Sequence, residues 1–200
     1  TMSSPPDPLV GRVILGRYRI VRPLAQGGMG VIYLARSEGA AGFVKPVVVK
    51  RIQSSFVSDD SMVNLFKREA RIMSNLRHPG VVSVIDFGHE HGAYFMVLDY
   101  VHGFHAGRWQ RFVRSTRGPF PVAFALQIVL SVLDALDYAH TLTDAEGNSV
   151  GIIHRDVSPS NVLIDVDGHV KLADFGIART AAEATEVQTE AGTIKGKFPY

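Results

Sequence analysis

Through the first half of the chain, apolar positions come in short runs bounded by glycine and polar turns, the pattern of strands rather than helices. It predicts strands at Tyr18 to Leu24, Val31 to Arg36, Val44 to Ile52, Val81 to Gly88 and Tyr94 to Leu98. One helix interrupts them. Ser58, Asp59 and Asp60 offer a cap and an acidic first turn, and Met62, Leu65, Phe66, Met73 and Leu76 then recur at helical spacing, with Glu69 on the same stripe. Pro121 opens a second helix where its missing N–H costs little, and that helix runs to about Leu142. Its near-continuous apolar character predicts burial. A polar excursion from Thr143 to Gly151 follows, then a strand Val162 to Ile164, a turn Asp165 to Gly168 and a strand Val170 to Ala173. The segment from Ala181 to Gly196 is polar and threonine-rich, and no internal repeat occurs.

Composition narrows the class. With 46% hydrophobic and 20% charged residues among 200, the chain reads as globular, either one domain or two small lobes. A net charge of only +2 and no evident basic run give no support to a nucleic-acid partner. The absence of cysteine excludes disulfides, thiolate metal sites and a cysteine nucleophile, and it fits a reducing, cytoplasmic setting. Val122 to Leu133 is the most apolar stretch; interrupted by Gln127 and Ser131 and followed by Asp134 and Asp137, it reads as too short and polar to span a bilayer, so no membrane contact is expected. Residues 1–17, with Ser3, Ser4, Pro5, Pro6 and Pro8, read as a flexible leader.

The turn Gly27-Gly28-Met29-Gly30 lets backbone N–H groups approach an anion, and it reads equally as a plain hairpin. Lys50 ends the apolar run Val47-Val48-Val49, and Glu69 lies on the inward stripe of its helix. A buried charge needs a partner, which pairing Lys50 with Glu69 supplies; the alternative is that both reach solvent at the core rim. His154-Arg155-Asp156 is followed by Asn161, so one loop holds a carboxylate and an amide. Asp174-Phe175-Gly176 puts a second carboxylate at a strand end, where hard cations find oxygen ligands, and Asp174 with Asn161 suggests nucleotide-borne Mg²⁺. A lone loop aspartate, by contrast, is more often a turn or cap residue.

In order, the glycine turn, strand lysine, helix glutamate, His-Arg-Asp with its asparagine, and Asp-Phe-Gly match the signature set of protein kinases. The match runs from about Tyr18 to Tyr200, and the string from Gly27 to Tyr33 resembles bacterial eukaryotic-like (Hanks-type) serine/threonine kinases. The resemblance implies an α+β, two-lobe fold: a β-rich N-lobe with one helix over 18–98, a hinge at 99–101, and the first part of a mainly helical C-lobe over 102–200. It also implies phosphoryl transfer from ATP, with Mg²⁺ or alternatively Mn²⁺, to serine or threonine hydroxyls of protein substrates, its own chain among them.

By similarity, Gly27, Gly28 and Gly30 cover the phosphates, and Lys50 touches them while tied to Glu69. Asn161 and Asp174 hold the metal, and Asp156 accepts the hydroxyl proton. Leu98 takes the gatekeeper position, Asp99, Tyr100 and Val101 form the hinge that receives adenine, and Leu24, Val31, Val48 and Leu163 enclose the ring. Met73, Val84, His154 and Phe175 resemble the apolar spine linking the lobes. Arg155 would receive a phosphate carried by Thr193, with Thr189 and Thr185 as competing sites.

Three positions depart from the family pattern. Ala25 stands where the first glycine belongs, Ser158 where a lysine usually follows the catalytic aspartate, and Lys197 where a threonine usually follows the glycine at 196. The last two suggest an exchange in which Lys197 supplies the missing amine. Ser158 and Ala25 also support a different reading, a nucleotide-binding pseudokinase scaffold; a small-molecule kinase of the same fold is another. An unrelated phosphate-loop protein would need a Gly-Lys-Ser/Thr motif, which is absent.

Overall fold

The computed structural model describes residues 7–27, 30–52, 60–116, 118–144 and 146–175. The short apolar runs form strands β1 (Val13–Ile14), β2 (Tyr18–Gly27), β3 (Gly30–Glu38), β4 (Val44–Ile52), β5 (Val84–Glu90) and β6 (Ala93–Asp99). They make one antiparallel sheet in the order β1-β2-β3-β4-β6-β5. Alternation along β4 sends Val47 and Val49 into a core with Tyr18, Ile20, Tyr33, Ala35, Phe95 and Val97. Val48 and Lys50 face the other way. Helix α1 (Asp60–Asn75) lies between β4 and β5 in sequence and buries Phe66, Glu69, Ala70 and Met73, one helical stripe. Burial of side chains the size of Phe66 or Met73 stabilises by about 2 kcal/mol each.

Beyond the sheet come β7 (Gly103–His105), α2 (Ala106–Thr116), α3 (Val122–Thr141), β8 (Val162–Asp165) and β9 (Val170–Leu172), with β7-β8-β9 forming a small antiparallel sheet. This sheet is stitched to the chain between α1 and β5. The Leu172 N–H donates to the Gly80 carbonyl at 2.7 Å, the Val82 N–H donates to the Leu172 carbonyl at 3.0 Å, and Val81 bridges Leu172 in parallel. The second core runs across this seam, joining Met73, Leu76, Val81 and Val82 to Ile152, Val162, Ile164, Leu172 and Phe175.

The structure corrects several sequence expectations. The proposed leader is structured from residue 7 onward: β1 pairs with β2, Ile14 is buried, and the Tyr33 hydroxyl donates to Asp7 Oδ2 at 2.9 Å. The strand expected from Val81 starts at Val84, because Val81 and Val82 are spent on the stitch to Leu172. Helix α3 forms where predicted but is not a buried helix. Only Val132, Ala135 and Ala139 are buried, against β9, while Val122, Leu126, Val129, Leu130 and Leu133 are exposed. Its 20 residues are also long and apolar enough to cross a membrane, whereas the sequence reading measured only Val122 to Leu133. One such helix is weak evidence for a span, and α3 holds polar ties to the body: Asp134 Oδ2 lies 3.2 Å from His78 Nε2, and Tyr138 stacks on His78. Strands β1 and β7 and helix α2 are absent from the sequence reading.

Candidate active site

Lys50 ends the exposed-to-buried alternation of β4 on the face turned toward α1. Its Nζ donates to Glu69 Oε1 at 2.7 Å and to Asp174 Oδ1 at 3.0 Å, joining a strand, a helix and the turn after β9. The lysine side chain is 13% exposed and that of Glu69 3%, while Asp174 is open at 39%. Burial alone would lower the Lys50 pKa, but Asp174 and Glu69 outweigh it and hold the ammonium above its ordinary value. The site therefore keeps a fixed cation at any physiological pH.

The residues of the loop from His154 to Asn161 converge separately. Asn161 donates from Nδ2 to the Asp156 carbonyl at 2.8 Å and to Asp156 Oδ2 at 3.1 Å. Ala173, immediately before Asp174, anchors both loops: its N–H donates to the Asn161 carbonyl at 2.8 Å, and its carbonyl lies 3.0 Å from His154 Nε2. The Asp156 N–H donates to His154 Nδ1 at 3.2 Å, so Nδ1 must be bare and the Nε2 proton must go to Ala173. The ring is therefore the neutral Nε2–H tautomer. Burial, the largest influence, lowers the His154 pKa against the pull of Ala173 and the nearby aspartates, in agreement with that arrangement. Phe175 packs on His154 at 4.5 Å between ring centroids and is fully buried. Arg155 and Asp174 both take left-handed backbone, φ 63° and 52°, a strain of about 1–3 kcal/mol each that clusters at working sites.

Leu98 is buried in the second core, and Val48, Val101 and Leu163 pack against that core, which spans both sheets. Asp99 donates its N–H to the Ser83 carbonyl at 3.0 Å, and its carboxylate pairs with Lys45 at 2.9 Å. Tyr100 stacks on His102 at 6.2 Å. Met73 and Phe175 belong to that core, and Val84 packs against it.

Val31 is a correction. It sits across from Arg51 and packs against the Tyr33 core, on the sheet face opposite Lys50; Ile32 is the residue paired directly with Lys50. Leu24 is 40% exposed and lines, with Val31, Asp7 and Pro8, a surface cavity of about 530 Å³. Gly27 and Gly30 face each other where β2 turns into β3, and Gly28 lies outside the described residues. Thr185, Thr189, Thr193, Gly196 and Lys197 lie outside them too. Ser158 is buried and shares a 2.8 Å hydrogen bond between its Oγ and that of Ser160. Arg155 lines a cavity of about 90 Å³ with Arg68, a residue the sequence reading did not single out. Ile32 was legible from strand alternation, whereas Arg68 was marked only by its place beside Glu69.

A sheet with one bracing helix, joined by a short connection to a second sheet whose flanking loops carry Asp156 and Asp174, is the two-lobed architecture of the protein-kinase class. The protein kinase domain family model matches residues 18–195, and the chain belongs to the protein kinase family. It is 36% identical over 185 residues to the tyrosine-protein kinase MasK of Myxococcus xanthus, covering 92% of this chain and 28% of that protein. It is 34% identical over 192 residues to the serine/threonine-protein kinase PrkC of Bacillus subtilis, covering 96% of this chain and 27% of that one. The crystal structure of the PknI kinase domain of Mycobacterium tuberculosis superposes with a TM-score of 0.66 at 34% identity, over 84% of this chain and 63% of that one. The chain thus spans about a quarter of the length of these curated relatives.

Proposed function

We propose that this chain catalyses transfer of the terminal phosphoryl group of ATP to serine or threonine hydroxyls of protein substrates, its own chain among them, in the cytoplasm where ATP is at hand. One observation carries the reading: a largely buried lysine held between two carboxylates at 2.7 and 3.0 Å. Such an arrangement is no more stabilising than an apolar packing of the same volume, so its retention points to a ligand that needs the cation.

In this reading Lys50, steadied by Glu69, takes the α/β-phosphates, and Gly27, Gly28 and Gly30 approach the rest. Leu98, the hinge 99–101, Val48, Leu163 and Ile32 enclose the adenine. Asn161 and Asp174, an amide and a carboxylate, are the oxygen donors that suit Mg²⁺ or Mn²⁺. When bound, the metal neutralises charge on the phosphate oxygens. Asp156, oriented through Asn161 and the His154 ring, accepts the proton of the substrate hydroxyl. The test is label transfer from γ-labelled ATP by the full-length protein. Asp156→Asn is expected to cost about 10²- to 10⁴-fold in kcat; unimpaired transfer would refute the assignment, and ATP binding without any transfer would favour a scaffold.

Two finer assignments follow. Ser158 leaves no cation two residues after Asp156, and we assign the missing amine to Lys197; a Lys197→Ala enzyme should lose about 100-fold or more in kcat with ATP binding intact. Arg155, in its left-handed conformation beside Arg68, is the receiver for a phosphate on Thr193. Thr193→Ala should abolish the activation that follows autophosphorylation, an effect lost if Thr189 or Thr185 is the true site.

A further inference from the structure

Helix α2 carries no acidic residue, and the sequence has no aspartate or glutamate anywhere between Tyr100 and Leu133. Arg108, Arg111 and Arg114 are exposed and recur every third residue, which winds them into one stripe along the helix. Among the described residues none of the three lies within ion-pair distance of a carboxylate. Arg108 instead rests over the Phe104 ring, 4.3 Å from its centroid. The field of the stripe reaches into the body: burial, then Arg111 and also Arg108, depress the pKa of His105.

The position of α2 gives this charge a role. The Gly107 N–H donates to the Pro159 carbonyl at 3.1 Å, so the first turn of α2 is seated on the loop that carries Asp156. His105, just before α2, pairs across the sheet with Leu163, an expected adenine neighbour. An extended peptide advances about 3.3 Å per residue, so one whose hydroxyl lies at Asp156 runs its flanking residues within reach of an 11-residue helix. Three arginines along one helix match a few carboxylates. A nucleic acid would call for many more phosphate contacts.

We propose that Arg108, Arg111 and Arg114 form a substrate-docking stripe that selects acidic peptide segments flanking the phosphorylated hydroxyl. The assignment rests on the phosphotransfer reading above.

The test uses the full-length protein, MgATP and three peptides with the same central serine and threonine, flanked by glutamates, alanines or lysines. The glutamate peptide should show a KM about tenfold below the alanine peptide, the yield of a few exposed ion pairs, with kcat little changed. That advantage should shrink as NaCl rises from about 50 to about 300 mM. R108E/R111E should reverse the order, making the lysine peptide the better substrate, a gain that an unfolded variant cannot produce. Equal KM for the glutamate and alanine peptides would overturn the proposal and leave the kinase reading standing. Transfer to none of the peptides by the wild-type protein would overturn both. If R108E/R111E lost binding to phosphatidylserine vesicles yet kept the wild-type peptide order, the stripe would belong to a lipid surface and the proposal would fall.

Discussion

At the scale of single residues, Lys50 and His154 make opposite use of burial. Removing the Lys50 ammonium while keeping an unbranched stem leaves Glu69, only 2% exposed, without its counter-charge. Lys50→Met is therefore expected to lower the unfolding free energy by about 3 kcal/mol, read from urea titration; a change under about 0.5 kcal/mol would show that Glu69 finds another partner. His154 must stay neutral to keep both of its hydrogen bonds. Its folded pKa is depressed, so as pH falls below about 6.5 the unfolded chain takes up a proton that the folded one refuses. The His154 contribution to stability should be level above that pH and decline below it, by at most about 1.4 kcal/mol per pH unit. His105, whose pKa is also depressed, moves the same way. His154→Phe keeps a ring against Phe175 and should flatten part of the acid slope of the urea midpoint between about pH 7 and 5. The Lys50 to Glu69 pairing was legible because each charge sat on an apolar stripe. The second partner, Asp174, lies 124 residues away and leaves no local trace. Val31 failed for a simple reason: a slip of one residue along a strand moves a side chain to the other face.

Secondary-structure elements were legible in proportion to their periodicity. Strand β4 was read to the residue, and α1 within its cap, because each has a continuous apolar face. Helix α2 was missed: it begins on Ala106 after a histidine, holds Gly107 in its first turn, and spaces its arginines between Trp109, Phe112 and Val113 so that neither an apolar stripe nor a basic run stands out. The same spacing hid the positive surface that the net charge of +2 conceals. Gly30 shows an element-level constraint beyond any phosphate role. A Cβ there would lie 2.0 Å from the Arg51 carbonyl oxygen, so β3 could not keep its register on β4. Gly30→Ala should cost about 1–3 kcal/mol in urea unfolding even without nucleotide; a neutral result would mean that the hairpin shifts freely.

For the molecule as a whole, the order of motifs made the two-lobe architecture legible, while the exposed face of α3 was not, since apolar residues predict burial without saying what covers them. Leu126, Val129, Leu130 and Leu133 present a continuous apolar surface on the 200-residue chain. That chain should bind a hydrophobic dye strongly and self-associate, and L126K/L130K should suppress both while shifting stability by no more than about 0.5 kcal/mol. The stitch of Leu172 to Gly80 and Val82 has a mechanical consequence. The large sheet is joined to the body below it covalently through residues 99–101 and again through this pair of hydrogen bonds, with Lys50 to Asp174 and His78 to Asp134 as further ties. A load pulling the two sheets apart would therefore be shared among backbone and side-chain links rather than falling on the connecting segment alone.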